Sequence, residues 1–267
     1  MRKFITQFVL FSLASLFVIS LSGNSVLAAK SFTPFSTILG NDISWPQCNK
    51  TYPKGQTFGI VGVNGGLANN NNPCFASQLL WAQQSKGGTG QDNAALYVNT
   101  ANPGLAGTWW PDSNDYGGST IANPYGTCDH ADSRACAYIY GYAKAYDDAT
   151  IRGVDTPSSY VWWLDVETIN SWESNKVANA ADLEGMTAYF QSIGARVGLY
   201  STSYQWGKIV GTVDANSDLN YLQSWIPGAR NQSSAQANCS VAPLTTGSPV
   251  TLTQFIANRL DYNFSCI

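Results

Sequence analysis

Residues 160–167 read Tyr160-Val161-Trp162-Trp163-Leu164-Asp165-Val166-Glu167. The run is apolar and aromatic up to Leu164 and then carries two carboxylates, which is typical of a buried β-strand with polar groups at its carboxyl end. Because side chains alternate across a strand, one face is wholly apolar, whereas Trp163, Asp165 and Glu167 share the other. We therefore expect the apolar face to pack against helices and both carboxylates to point the opposite way.

Further apolar runs along the chain resemble this strand, and helical patterns separate them. The predicted strands are 42–45, 58–63, 94–99, 160–167, 196–201, 221–226 and 250–256. One helix is predicted over about 134–150, and another begins after a cap at Asn179 and ends at Gly194. Seven strands alternating with helices favour a single (β/α) barrel of the TIM type, closed or nearly closed. An open doubly wound sheet is the alternative, but no Gly-rich phosphate loop follows a strand.

The sequence predicts three parts. Residues 1–29 carry Arg2 and Lys3, an apolar run and a small-residue ending, which is the pattern of a secretory signal peptide; an uncleaved membrane anchor is the alternative. Residues 30–40 are a polar lead-in, and residues 41–267 form the barrel domain. Within the barrel, residues 102–132 are a long irregular insertion in which Trp109 and Trp110 either offer a platform to a ligand or anchor the loop.

The composition excludes several classes of partner. Only 12% of the residues are charged, and 14 Lys and Arg against 17 Asp and Glu leave no basic surface for nucleic acid. A single histidine, His130, leaves no second imidazole for a metal site, so we predict no metal and no cofactor, and any hydrolysis should use carboxylates. After signal cleavage we expect an extracellular monomer without membrane attachment, either secreted or held at the cell surface.

All six cysteines follow the predicted signal peptide, and an even number in an exported chain predicts three disulfides. Six cysteines allow 15 pairings, among which the sequence does not choose. Pairing by proximity along the chain would join Cys48 with Cys74, Cys128 with Cys136, and Cys239 with Cys266.

The spacing of Asp165 and Glu167 suits glycoside hydrolysis. Two residues along a strand separate Cα atoms by roughly 6.6 Å, so rotation of the side chains can place the carboxyl groups about 5 to 9.5 Å apart, as glycosidases require. Like charges at that distance push the two pKa values apart, so one carboxyl can stay protonated as an acid while the other remains an anion. The alternative is a carboxylate pair at a solvated strand end that caps the next helix.

The order of the motifs resembles glycoside hydrolase family 25, the Chalaropsis-type lysozymes or N-acetylmuramidases. In that family an Asp on the first strand precedes the Asp-x-Glu strand; a Tyr strand, a Trp strand, a Gln-aromatic strand and an Asp-x-Asn turn follow it. The matching residues here are Asp42, Asp165 with Glu167, Tyr200, Trp225, Gln254 with Phe255, and Asp261 with Asn263. The resemblance spans nearly all of residues 41–264.

This resemblance implies a glycosidase that cleaves the β-1,4 linkage between N-acetylmuramic acid and N-acetylglucosamine in peptidoglycan, or a related amino-sugar polymer. Glu167 would be the general acid, and Asp165, Asp42 and Asp261 would stabilise the oxocarbenium-like transition state, position the 2-acetamido group or hold the nucleophile. A substrate-assisted route, in which the acetamido oxygen attacks the anomeric carbon, stays open beside direct attack by a carboxylate. The candidate substrate-binding residues are Trp45, Asn64, Asn99, Trp163, Tyr200 and Trp225.

The chain departs from the family pattern on strands two and three. Residues 63–66 read Val-Asn-Gly-Gly, and residues 97–99 read Tyr-Val-Asn, in place of the family's usual signatures. Because these positions line the cleft in the family, the alternative function is a non-catalytic cell-wall glycan or polysaccharide-binding protein built on the same barrel.

Overall fold

A closed barrel forms the centre of the protein in the computed structural model, which describes residues 38–267. The described strands are β1 (Leu39–Ile43), β2 (Gly59–Gly62), β3 (Ala94–Asn99), β4 (Asp115–Tyr116), β5 (Ser119–Thr120), β6 (Val161–Asp165), β7 (Arg196–Tyr200), β8 (Gln223–Ala229), β9 (Val250–Ala257) and β10 (Leu260–Ser265). The α-helices are α1 (Phe75–Gln83), α2 (Arg134–Thr150), α3 (Lys176–Ser192), α4 (Ser203–Ile209) and α5 (Gln232–Asn238). The predicted signal peptide, residues 1–29, lies outside the described residues.

The barrel order is β1-β10-β9-β8-β7-β6-β3-β2, with β4 and β5 forming a separate hairpin. Neighbouring strands are parallel except at β10, which runs antiparallel to both β1 and β9. The predicted (β/α) barrel is therefore confirmed, although one of its strands is antiparallel. The described barrel has eight strands rather than seven, because an antiparallel strand completes the closure.

The segment around Asp261 and Asn263, expected to be a turn, is in fact this closing strand. The reversal of the chain occurs two residues earlier, at Asn258 and Arg259, whose φ angles of 52° and 62° lie in the left-handed region. Such a pair of residues forms a tight hairpin that matches the twist of the two strands. Asp261 is thereby placed on the barrel wall and not in a surface loop.

The first strand also begins earlier than expected. Leu39 and Gly40, assigned to the polar lead-in, belong to β1, and Leu39 is buried in the core. A Cβ atom on Gly40 would lie within 2.3 Å of the Phe58 ring, so only glycine fits there. Strand pairing and this close approach, neither of which the polar composition revealed, hold the segment in the barrel.

The predicted alternation of β6 is confirmed. Trp162, Leu164 and Val166 belong to the core between the barrel and its helices, where Trp162 stacks on Phe190 of α3 with ring centroids 4.4 Å apart. Val161 and Trp163 belong instead to the cluster that fills the barrel interior. Because Asp165 lies on the same face as these two residues, it projects into the barrel at the carboxyl end of the strand.

Helices α2 and α3 pack at unusually close range. A Cβ atom on Gly141 would come within 1.9 Å of the backbone oxygen of Asp182, and one on Gly185 within 2.0 Å of that of Tyr138. Helix α2 has its predicted bounds, but α3 begins at Lys176, because Asn175 and not Asn179 caps it. Asn179 is fully buried and donates to the carbonyl oxygen of Ile209.

The three disulfides join Cys48 to Cys74, Cys128 to Cys136 and Cys239 to Cys266, so the pairing by proximity is confirmed. The second fastens the insertion to the first turn of α2. Within the insertion, Trp110 is buried and Trp109 stacks on Tyr140. Both indoles therefore anchor the loop, although Trp109 stays 38% exposed. None of the helices in the described part of the chain is long and apolar enough to cross a membrane.

Candidate active site

A pocket of about 230 Å³ opens at the end of the barrel where the parallel strands finish. Its lining brings together all four predicted carboxyl groups, those of Asp42, Asp165, Glu167 and Asp261. Asp165 ends β6, and Glu167 follows it by two residues. Asp261 reaches the same end from the start of β10, because that strand runs the opposite way.

Asp42 and Asp261 are directly paired across the antiparallel contact between β1 and β10. The amides of Gln254 and Asn263 donate to Oδ2 of Asp42 at 2.9 and 2.7 Å. Burial and the negative charge of Asp261 outweigh these donors and raise the pKa of Asp42 to about 7. Burial also raises the pKa of Asp261. This pair can therefore hold a proton near neutral pH.

Asp165 is the most enclosed of the four carboxyls, with 7% of the residue exposed. The amide of Asn99 donates to its Oδ2 at 3.1 Å, whereas Oδ1 is buried without a partner among the described residues. Burial, followed by the charges of Glu167 and Asp42, raises the pKa of Asp165 well above its usual range. The surroundings of Asp165 thus disfavour its ionised form.

Glu167 is partly exposed and is held by Gln205 in α4. The Gln205 amide nitrogen donates to Oε1 of Glu167 at 3.2 Å, while its oxygen accepts from the backbone and hydroxyl groups of Thr168. The backbone oxygen of Glu167 accepts from the Trp172 indole at 2.9 Å. These contacts fix the carboxyl at the pocket while leaving its second oxygen for a ligand.

Three aromatic side chains, a glutamine and Ile256 complete the pocket wall. Tyr200, Trp225 and Tyr97 line it, and Gln254 connects two sides, since it accepts from the Tyr200 hydroxyl and donates to Asp42. Tyr200 and Trp225 were predicted to bind substrate, and the structure places both at the pocket. Sequence reasoning missed Tyr97, Gln254 and Gln205 as site residues, although Gln254 lies in a motif that supports the family resemblance.

Three of the predicted substrate-binding residues lie elsewhere. Trp163 is 1% exposed and fills the barrel below the pocket, so it is a core residue. Asn64 is also 1% exposed, because its amide is directed to Asp148 on α2. Trp45 is 48% exposed and lies beside Gly66, outside the pocket lining.

A second groove, of about 450 Å³, is lined by Asn99, whose amide bonds Asp165 of the pocket. Asn170 also lines the groove and donates to the Asp165 backbone oxygen at 3.2 Å. The insertion supplies another wall. The lining combines amides and hydroxyls with apolar groups and carries no carboxylate or basic side chain: Gly66, Leu67, Ala68, Asn69, Asn99, Thr100, Ala101, Pro103, Ala106, Gly107, Thr108, Tyr140, Ile169, Asn170 and Ser171.

The carboxyl cluster can keep a proton near neutral pH, because burial and the neighbouring carboxylates raise the pKa values of Asp42 and Asp165. Aromatic walls beside amides suit a ligand with both apolar faces and hydroxyl groups. Within residues 38–267, no three His, Cys, Asp or Glu side chains are arranged to hold a metal ion.

Comparison with known proteins finds lysozyme-like relatives. Residues 143–238 match a family described as Lysozyme-like protein 1. The chain is 37% identical over 90 residues to Lysozyme-like protein 5 of Caenorhabditis elegans, covering 34% of this chain and 40% of that protein. It is 38% identical over 57 residues to Probable GH family 25 lysozyme 4 of Dictyostelium discoideum, covering 21% of this chain and 26% of that protein. The chain thus spans less than half the length of these curated relatives.

Among solved structures, the modular Cpl-1 endolysin, crystallised with a peptidoglycan analogue, aligns with a TM-score of 0.48. The identity is 16%, and the alignment covers 85% of this chain and 53% of that one. The matched family segment, residues 143–238, contains Asp165, Glu167 and Trp225, whereas Asp42 and Asp261 lie outside it.

Proposed function

We propose that this chain, a divergent relative of the glycoside hydrolase family 25 lysozymes, cleaves the β-1,4 linkage between N-acetylmuramic acid and N-acetylglucosamine in peptidoglycan, or the equivalent linkage of a related amino-sugar polymer. The observation that carries the proposal is the convergence of Asp42, Asp165, Glu167 and Asp261 on one aromatic-walled pocket. Paired carboxyl groups flanking a sugar are the usual machinery of glycosidases.

Glu167 acts as the general acid in this proposal. It is more exposed than Asp165, and Gln205 holds one of its oxygens. The acid transfers its proton to the glycosidic oxygen as the bond to the anomeric carbon breaks, and an incoming water later supplies the new hydroxyl and returns a proton to the carboxyl.

The three aspartates act on the positive charge that develops at the anomeric carbon. Asp165 faces the same pocket with one oxygen tied to Asn99, and Asp42 is oriented by two amides. Either an aspartate attacks the anomeric carbon, or the substrate's acetamido oxygen attacks it while an aspartate orients the acetamido group. Asp261 tunes the charge of Asp42 in both routes.

The groove beyond Asn99 would accept further sugars of the same glycan strand. Its amides and hydroxyls can bond sugar hydroxyl and acetamido groups, and its apolar members can contact the C–H faces of the rings. A lining without carboxylates or basic groups suits uncharged sugar units better than charged peptide stems.

We further propose that the mature protein is secreted as a monomer after removal of residues 1–29. The disulfides of the barrel support an oxidising compartment outside the cytosol. N-terminal sequencing of the exported protein should begin near residue 30, and light scattering should give the mass of a single chain.

Digestion of peptidoglycan tests the proposed activity. The oxidised wild-type protein should release fragments with new N-acetylmuramic acid reducing ends, detected by reductive labelling and mass spectrometry, and Glu167→Gln should release none. Glu173→Gln makes the same exchange at a carboxyl outside the pocket and should behave as wild type. Wall binding by wild type and by Glu167→Gln, without new reducing ends from either, would favour the glycan-binding protein instead.

A further inference from the structure

The carboxyl group of Asp165 is held from one side. Asn99 donates to Oδ2, and Oδ1 has no hydrogen-bond partner within the described residues. The orientation of Asp165 at the pocket therefore depends on where the Asn99 amide lies. An amide donor displaced by a fraction of an ångström would release this carboxyl into other rotamers, because hydrogen bonds weaken steeply with distance and angle.

Asn99 is the last residue of β3, at the point where strand pairing ends. Its backbone N–H donates to Oδ1 of Asn64 at 2.8 Å. Asn64 follows β2 and is not part of a strand, so a side chain here takes the place of a backbone ladder partner. This bond fixes the strand end from which the Asn99 side chain reaches Asp165.

The orientation of the Asn64 amide is set from α2. Its nitrogen donates to Oδ1 of Asp148 at 2.9 Å, which leaves its oxygen facing Asn99. Arg152, two residues beyond the end of α2, donates from Nε to the same Asp148 oxygen at 2.5 Å. The side chains of Asp148 and Arg152 are 0% and 5% exposed. Because Arg152 already donates to Oδ1 of Asp148, this oxygen is an acceptor, and it admits only one sense of the Asn64 amide.

We propose that Asn64 and Asp148 are positioning residues of the active site: through Asn99 they orient the Asp165 carboxyl, with Arg152 fixing Asp148. The proposal rests on the proposed function for its kinetic consequences but not for its structural ones. It also gives a role to Asn64, which follows β2 in the segment where the chain departs from the family pattern. Asn64, which bonds the buried carboxyl of Asp148 on α2, would act through Asn99 and would not contact the substrate.

A matched pair of variants tests the proposal. Asn64→Ala removes the acceptor for the Asn99 N–H. Asn220→Ala makes the same exchange at a buried asparagine that bonds the backbone oxygens of Asp214 and Ala215 and lines neither the pocket nor the groove. We expect Asn64→Ala to lower kcat about ten- to a hundredfold with KM changed less than about threefold, because misplacement of a reacting group affects turnover more than binding. Asn220→Ala should lower only the melting temperature.

Variants that change the charge of Asn64 or Asp148 provide a second test of the proposal. Asn64→Asp places a carboxylate beside Asp148 and should lower kcat further through repulsion. Asp148→Asn keeps an oxygen acceptor for both donors and should retain kcat within about threefold. The double variant Asn64→Asp/Asp148→Asn removes the repulsion and should recover kcat relative to Asn64→Asp alone, an interaction that a double-mutant cycle isolates.

A measurement independent of turnover separates the two proposals. Carboxyl ¹³C NMR titration of Asp165 in Asn64→Ala should give a higher pKa than in wild type, because loss of the Asn99 donor disfavours the anion. Equal kcat in Asn64→Ala and Asn220→Ala, or an unchanged Asp165 titration, would overturn the positioning role. If the wild-type protein hydrolyses no glycan, the proposed function fails, and the NMR titration alone decides whether Asn64 positions Asp165.

Discussion

Asp42 and Asp261 face each other as paired residues of the first and last strands of the barrel, and both carboxyls line the pocket. Parallel strands alone would place an acid near the start of β10 at the opposite end of the barrel. The antiparallel closure reverses that strand and brings Asp261 beside Asp42. The resulting repulsion adds to burial in raising the pKa of Asp42 to about 7.

Replacement of Asp261 should lower the pKa of Asp42. In Asp261→Asn the pKa of Asp42 should fall below about 7, because one negative neighbour is lost, yet stay above 3.8, because burial is the larger cause of the shift. Carboxyl ¹³C NMR titration measures this directly. Asp129→Asn, at an exposed loop carboxyl, is the control. An Asp42 titration that is the same in Asp261→Asn and wild type would contradict the pairing.

Gln205 should matter for activity although it comes from a short surface helix. Gln205→Ala removes the donor to Oε1 of Glu167 and the bonds that tie Thr168 to α4. We expect kcat on peptidoglycan to fall about tenfold, because the acid loses its fixed orientation. The control is Tyr204→Ala, at the neighbouring exposed residue of the same helix. Equal kcat in both variants would show that Glu167 does not need this support.

The sequence predicts a site residue best where the alternation of side chains along a single strand determines which way that residue points. Residues 161–165 place Asp165 in the barrel and Trp162 outside it because the side-chain period of a strand is two, and no other segment can alter that. Nearby cysteines were likewise paired correctly, since short separations bring them together in most folds. The four acidic positions could be matched because they lie in three short motifs, with Asp165 and Glu167 sharing one.

The sequence predictions fail where contacts with a distant segment determine how a residue is oriented or buried. Asn64 looked like a cleft residue, but its partner Asp148 lies 84 residues away on α2, and that bond turns the side chain inward. Asn179 has the residue type of a helix cap, yet bonds to Asn102 and Ile209 bury it inside the helix. The closing strand around Asp261 forms because β1 and β9 pair with it, and local propensity does not report such pairing.

Blocking the groove should weaken the binding of long glycan oligomers and leave that of short ones unchanged. Ala106 lines the groove, whereas Leu105, adjacent on the same turn, is exposed and outside it. Ala106→Phe should weaken binding of long N-acetylated glycan oligomers about tenfold and leave disaccharides unaffected, whereas Leu105→Phe should change neither. Calorimetric titration of the Glu167→Gln background measures this without hydrolysis. A length dependence that survives Ala106→Phe would place the further sugars elsewhere.

The disulfide between Cys239 and Cys266 should stabilise the protein more than the one between Cys128 and Cys136. It joins the end of α5 to the residue after β10 and spans 27 residues. Chain entropy predicts that Cys239→Ser/Cys266→Ser lowers the free energy of unfolding by about 3.5 kcal/mol, against about 2.5 kcal/mol for Cys128→Ser/Cys136→Ser, whose loop is shorter. Urea unfolding of both double variants checks the order, and the reverse order would contradict it.

Asp182 should make the protein less stable as the pH rises. Both of its oxygens are buried without a partner among the described residues, and burial raises its pKa well above the usual range despite the opposing charge of Lys144. Above an ordinary pKa of about 3.9, the unfolded chain has lost this proton while the native protein still holds it, so the free energy of unfolding falls with rising pH. Asp182→Asn cannot lose a proton and should show a flatter decline.

Urea unfolding of wild type and Asp182→Asn at about pH 5 and about pH 8 measures the two slopes. The difference in stability between the variant and wild type should shift in favour of the variant at the higher pH. Asp182→Asn should retain part of the wild-type slope through Asp42 and Asp148, because burial raises the pKa of each to about 7. Asp155→Asn, at an exposed carboxyl, should follow wild type. Parallel declines of wild type and Asp182→Asn would mean that Asp182 titrates as an ordinary carboxyl, and the close contact of α2 with α3 would then have to admit water.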